Sequence, residues 1–155
     1  MFDDDMDWSR ADWRLLQNGA INLFWQPHIF AKAQQSLSEL GYDAPAIYCA
    51  EGWDSVQRQF SSLLKWGEQF GYPHWNGNPN AFDDGLIDFP FGPSKRCALT
   101  LSAFQHLVAE DPQASRNLLD SLATYARYHL LFGRILIVLV QTDDNRFTCT
   151  DLGGT

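Results

Sequence analysis

Apolar positions along this chain switch between helical spacing and short unbroken runs, and the switches mark out helices and strands in turn. Ile29, Ala33, Leu37 and Leu40 keep helical spacing over residues 28–40, and Gly41 stands where a helix can end in the left-handed region. Residues 46–50 read as a short buried strand. Trp53, Val56, Phe60, Leu63 and Leu64 form the inward stripe of a helix over 53–70 that closes at Gly71. An acidic helix over 79–88 follows, and Pro90 to Pro93 make a stiff connection. A strand over 97–101 and a short helix over 103–109 come next, before Glu110, Asp111 and Pro112 break the chain. Leu118, Leu122, Tyr125 and His129 lie on a long helix over 114–132 that Gly133 ends. Residues 134–141 are the most β-branched run, the pattern of a central strand buried on both faces. Residues 142–145 read as a turn, with 147–150 returning as an edge strand.

The N-terminal region supports two readings. Residues 1–11 are acidic and polar, a loose tail apart from Trp8. Residues 13–25 carry a hairpin signal, with a type I′ turn at Asn18 and Gly19. A helix over 13–17 competes, because Ser9 and Asp12 have capping-box spacing. Strands alternating with helices imply parallel pairing through crossover connections. The expected fold is therefore α/β, a small and mainly parallel sheet covered by helices. Trp13, Leu15, Ile21, Leu23 and Phe24 give residues 13–25 one or two apolar faces, so this segment is expected to fold onto the domain.

At 155 residues the chain is one domain with a core that needs no staples. An apolar fraction of 45 % and an aromatic fraction of 14 % suit a folded protein. No apolar run reaches membrane-spanning length, and the acidic start is unlike a signal peptide, which predicts a soluble, cytoplasmic protein. Cys49, Cys97 and Cys149 are odd in number and widely spaced, so reduced thiols are expected. A formal net charge of −8 disfavours direct nucleic-acid binding and favours fast encounter with a basic protein.

Residues 70–88 are the most informative segment. Asn78 suits an N-cap, since its side-chain oxygen can accept a first-turn N–H, and Pro79 suits the first helical position. Phe82, Leu86 and Phe89 fall on one face. Asn80, Asp84 and Asp88 follow at i, i+4, i+8 on another, with Asp83 at its edge. Like charges at i, i+4 cost an isolated helix a few tenths of a kcal/mol, roughly 0.2–0.5. The face is either an ordinary solvated surface or a place where something basic docks.

The segment resembles the signature of the barstar family, small intracellular inhibitors of secreted ribonucleases. That signature is an aromatic pair, a Gly-rich loop with an Asn, and a helix reading Asp-Ala-Leu-x-Asp-Cys-Leu. His74 and Trp75 stand at the aromatic pair, Asn78 at the family Asn, Ala81 at Ala, Asp84 at the second Asp and Leu86 at Leu. Phe82 replaces Leu, Asn80 stands in place of the first Asp, Gly85 replaces Cys, and the loop glycine is displaced to Gly77. The order of elements over 46–141 is also similar to the barstar fold, which implies a barstar-like domain over 45–142, with 1–44 an N-terminal elaboration packed on it and 143–155 a turn and tail. The resemblance implies that Asp84 enters a nuclease's phosphate pocket, with Asn80, Asp83 and Asp88 beside it and His74, Trp75 and Asn78 shaping the rim. It implies a basic secreted or effector ribonuclease as partner, no direct nucleic-acid or membrane contact, and no cofactor.

Other chemistry has little to stand on. His28, His74, His106 and His129 lack zinc-ligand spacing, so no metal site is expected. There is no phosphate-binding glycine loop or nucleophile elbow, and the adjacent Asp83 and Asp84 project in different directions. An enzyme is not expected. Trp75 is either an interface anchor by residue type or a core residue beneath the loop. Glu110 and Asp111 are either a further acidic contact or a solvated turn. The expected function is a barstar-like immunity protein that blocks a ribonuclease toxin. The alternative is a non-inhibitory acidic interaction module.

Overall fold

The β-branched run near the C-terminus lies inside the sheet of the protein, whose computed structural model describes residues 11–17, 19–143 and 147. Strands β1 (Ile21–Phe24), β2 (Ala46–Tyr48), β3 (Arg96–Ser102) and β4 (Ile135–Gln141) form one sheet in the order β1-β4-β3-β2. All three pairings are parallel; Ile21 and Leu99 both register with Val138, one from each side. Among the described residues the helices are α1 (Ala11–Leu16), α2 (Pro27–Glu39), α3 (Trp53–Leu63), α4 (Trp66–Phe70), α5 (Pro79–Ile87), α6 (Gln105–Glu110) and α7 (Pro112–Leu130). The fold is α/β.

Alternation along the central strands divides the core. Cys97, Leu99 and Leu101 of β3, with Leu136, Val138 and Val140 of β4, face the larger cluster, built with α3 to α7. Ala98, Ile137 and Leu139 face the other way, onto Phe30 and Leu37 of α2 and the partly buried Leu15 and Leu16 of α1. A strand buried on both faces needs this two-sided cover, and each fully buried Leu, Ile or Phe contributes about 1.5–3 kcal/mol. Residues 11–40 thus supply the cover of one sheet face as well as an edge strand.

The hairpin expectation for 13–25 is not what forms. Residues 11–16 are helical, as in the competing reading, and β1 pairs with β4 rather than with its own upstream neighbour. Ile21 is fully buried there, a larger gain than a two-stranded ribbon offers, and Tyr42 Oη donates to Asp12 at 2.9 Å to tie α1 to the end of α2. Three smaller corrections follow. Ile29 is exposed and Phe30 is the inward residue of the first turn of α2. Strand β2 is an edge strand that buries only Ile47, and the backbone N–H and C=O of Tyr48 are both bonded by the Gln59 side chain, at 2.8 and 2.7 Å. The helix expected over 53–70 breaks at Lys65, which takes a left-handed φ of 52°, so that Leu64 and Trp66 can both be buried. Residues 148–150, expected to join an edge strand, lie outside the described residues, as do 144–146 of the expected turn.

Among the described residues no helix is long and apolar enough to cross a membrane.

Candidate functional site

Helix α5 begins as the sequence predicts. Asn78 Oδ1 accepts the N–H groups of Asn80 and Ala81, at 2.9 and 3.2 Å, and Pro79 opens the first turn. Phe82, Gly85 and Leu86 are buried against the core, and Phe89 just past the helix is buried as well. The opposite side leaves Asn80, Asp84 and Asp88 exposed, with Asp83 half-buried. Asp84 makes no hydrogen bond or ion pair with any described residue, which leaves its oxygens to solvent or to a partner. One oxygen of Asp83, Oδ1, is buried without a partner among the described residues.

The preceding loop is fastened from below. Trp75 is 4 % exposed, and its ring stacks on Phe82 with centroids 4.7 Å apart and meets Phe60 edge-on at 6.3 Å. Its indole N–H donates to the Asn78 carbonyl at 2.8 Å, and its backbone N–H donates to Ser61 Oγ at 2.9 Å. Ser61 in turn donates to the Gln57 carbonyl at 2.6 Å. The loop, the cap and α3 are thus one hydrogen-bonded unit. Asn76 accepts from the Asn78 N–H at 3.1 Å, and Gly77 turns the chain at φ 92° where an added Cβ would lie 2.8 Å from Gln57 Nε2.

This geometry sorts the predicted site residues. Asn80, Asp84 and Asp88 share an exposed face, and His74 is exposed on the loop before them. Trp75 belongs to the core, the second of its two readings, so it supports the rim from beneath instead of presenting a ring to a partner. Asn78 spends its side-chain oxygen on the helix cap and positions α5. Glu110 and Asp111 are committed to helix starts: Glu110 accepts from the Trp53 N–H at 3.0 Å and Asp111 from the Ala114 N–H at 3.0 Å. A cleft of about 430 Å³ lies under the loop, lined in part by Asp54, Gln57, Gly77, Asp111 and Asn117.

Two features of the site escaped the sequence reading. Gly85 lets α5 close on Trp66, since a Cβ there would lie 2.8 Å from the indole Cζ3. Helix α7 packs along α5, and its His129 Nε2 contacts the Leu86 carbonyl at 2.7 Å. A carbonyl only accepts, so Nε2 carries the proton, and Nδ1 is left bare and buried, with no partner among the described residues. Burial of His129 pushes its pKa below the ordinary value, Arg134 adds to this, and the Leu86 bond and Asp88 oppose it. The helical spacing of His129 was visible in sequence; its partner on another helix was not.

Elsewhere, Cys49 and Cys97 are buried free thiols whose pKa burial pushes up to about 12, which keeps them protonated and inert. Cys149 lies outside the described residues. No group of three or more His, Cys, Asp or Glu able to hold a metal is found among the described residues.

The fold and this face define an α/β protein with a small parallel sheet and an exposed acidic helix mounted on a fixed loop. Compared with known proteins, the chain matches no family model, no curated protein and no solved structure.

Proposed function

We propose that this chain is a barstar-like immunity protein that binds a basic ribonuclease in the cytoplasm and blocks its active site, acting by contact and not by catalysis. The observation that carries the reading is Asp84: a carboxylate without a partner among the described residues, on the exposed face of a helix whose cap, loop and buried face are all fixed. Ribonuclease sites gather Arg, Lys and His around a phosphodiester. A carboxylate held rigidly can take the phosphate's place through charge-assisted, bidentate hydrogen bonds and offers no bond to cleave. Rigidity matters because ordering costs are then met before the partner arrives. Asn80 and Asp88 flank Asp84, and His74 lies on the rim.

The test is capture of a nuclease from the source cells, beginning with the product of the neighbouring gene, and titration of its activity. Stoichiometric loss of ribonuclease activity is expected. Asp84→Ala should weaken that complex by roughly 2–5 kcal/mol, since it leaves buried cationic groups of the partner unpaired. A urea melt of the same variant should be unchanged or slightly improved, because the repulsion between Asp84 and Asp88 is relieved. Full inhibition by the variant, or a captured partner without nuclease activity, refutes the inhibitor reading; the second result favours the interaction module.

A further inference from the structure

Tyr125, Tyr128 and Phe132 follow one another at i, i+3 and i+7 along α7 and the turn after it. Their rings touch in sequence, with centroids 5.8 Å apart for the first pair and 5.1 Å for the second. The fully buried residues of α7 are others, among them Leu118, Leu119, Leu122, Ala123 and Ala126, and Tyr125 packs against the same core from its partly buried position. Tyr125 and Tyr128 are only half-buried, and Phe132 is 59 % exposed. Neither phenol hydroxyl has a hydrogen-bond partner among the described residues.

Helix α5 packs along α7, and His129, which bonds the Leu86 carbonyl two residues before Asp88, has its ring 5.1 Å from that of Tyr128. Burial, and after it the charges of Asp83 and Asp84, pushes the Tyr125 phenol up. Aromatic faces and carboxylates attract the same kind of group. A cation over a ring is drawn to the negative π-face, and one near a carboxylate is drawn to its charge. An uncharged apolar partner would have to strip water from Asp84 and Asp88 with nothing in return, and a nucleic acid would meet their repulsion. The far end of the row is already occupied: the Arg134 guanidinium sits 5.3 Å from the Phe132 ring and 5.8 Å from that of Phe91. That charge closes the row and leaves Tyr125 and Tyr128 as its open part.

We propose that Tyr125 and Tyr128 are an aromatic subsite for Arg and Lys side chains of a basic protein partner, extending the acidic face of α5 onto α7. The identity of the partner rests on the inhibitor reading, whereas the subsite's preference for cations is testable without it.

The probe is the dipeptide acetyl-Arg-Arg-amide, titrated into the full chain and followed by NMR of the aromatic protons, with the citrulline dipeptide as its uncharged twin. Saturable shifts of the Tyr125 and Tyr128 rings with the arginine peptide, and much smaller ones with citrulline, are expected. Tyr128→Leu keeps apolar bulk on a half-exposed position and should weaken arginine-peptide binding about threefold, the size of one exposed cation–π contact. A melt of the variant checks that it is folded, and Tyr125→Leu provides the same test at the neighbouring ring. Equal shifts from both peptides, or leucine variants that bind arginine as well as the parent, overturn the proposal. Arginine binding at the rings without inhibition of any captured nuclease upholds the subsite and refutes the inhibitor reading. Inhibition unaffected by either leucine variant does the reverse.

Discussion

Gly85 sets how closely the acidic helix approaches the core. Glycine inside a helix is ordinarily a cost of about 1 kcal/mol against alanine. Here an alanine Cβ would lie 2.8 Å from the Trp66 ring and 3.4 Å from Leu64 Cδ1, and Trp66 is 1 % exposed with rings of Phe70 and Trp75 around it. Overpacking of such a site costs roughly 1–3 kcal/mol, more than the helix gains. Gly85→Ala should therefore lower stability in a urea melt; a rise would mean that α5 slides off Trp66 without penalty. Some of this scale is legible in sequence, and the difference is instructive. The Asn78 cap could be read because cap, proline and first turn are neighbours along the chain. The inward turn of Trp75 could not, because its partners Phe60, Ser61 and Phe82 come from two other elements. Residue type alone suits Trp equally to a core and to an interface.

Between elements, the contact that fixes the end of α5 is titratable. His129 is 1 % exposed, and the rings of Phe91 and Tyr128 lie about it at 5.0 and 5.1 Å. Its neutral form donates to Leu86; a second proton would have to sit on the buried Nδ1. The folded pKa lies below that of the unfolded chain, so on acidification the unfolded state takes up the proton first. Stability is then full above the unfolded value of about 6.5 and falls as pH drops from there towards the folded pKa. Denaturant melts at pH 7.5 and 5.5 should show the loss. His129→Gln, which retains a donor for the Leu86 carbonyl but does not titrate, should show less of it. Element existence was readable wherever apolar periodicity ran long, as in α2, α7 and β4. It failed at residues 13–25, where a short run with an Asn-Gly pair suits a hairpin locally but finds a better-buried partner in β4, more than a hundred residues away (Ile21 to Val138).

At the level of the whole molecule, the formal charge of −8 acts together with the exposed carboxylates of α5. Attraction of this kind raises association rates and is screened over about 8–10 Å at physiological salt. Stopped-flow association with the captured partner should slow strongly between low and physiological salt, while dissociation changes little. A flat association rate would remove electrostatic encounter from the account. The layers explain why the acidic face stays open: α1 and α2 cover one side of the sheet, and α3 to α7 cover the other. The placement of α5 on the outer surface of that second layer was readable from its one-sided apolar face, whereas its pairing with α7 needed the fold.

A parallel sheet that ends in a bare strand is a template for a neighbour, and β2 would be such a template. Gln59 removes the invitation. With one amide it gives and takes at Tyr48 the two bonds that an added strand would make there, and Ser55 Oγ accepts its second proton at 3.0 Å. A chain at high concentration in a crowded cell is thereby kept from recruiting copies of itself edge to edge. Gln59→Ala should leave the monomer folded yet let it self-associate as concentration rises, visible by light scattering. A variant that stays monodisperse would show that the tyrosine side chain, 65 % exposed on the same strand, already guards the border.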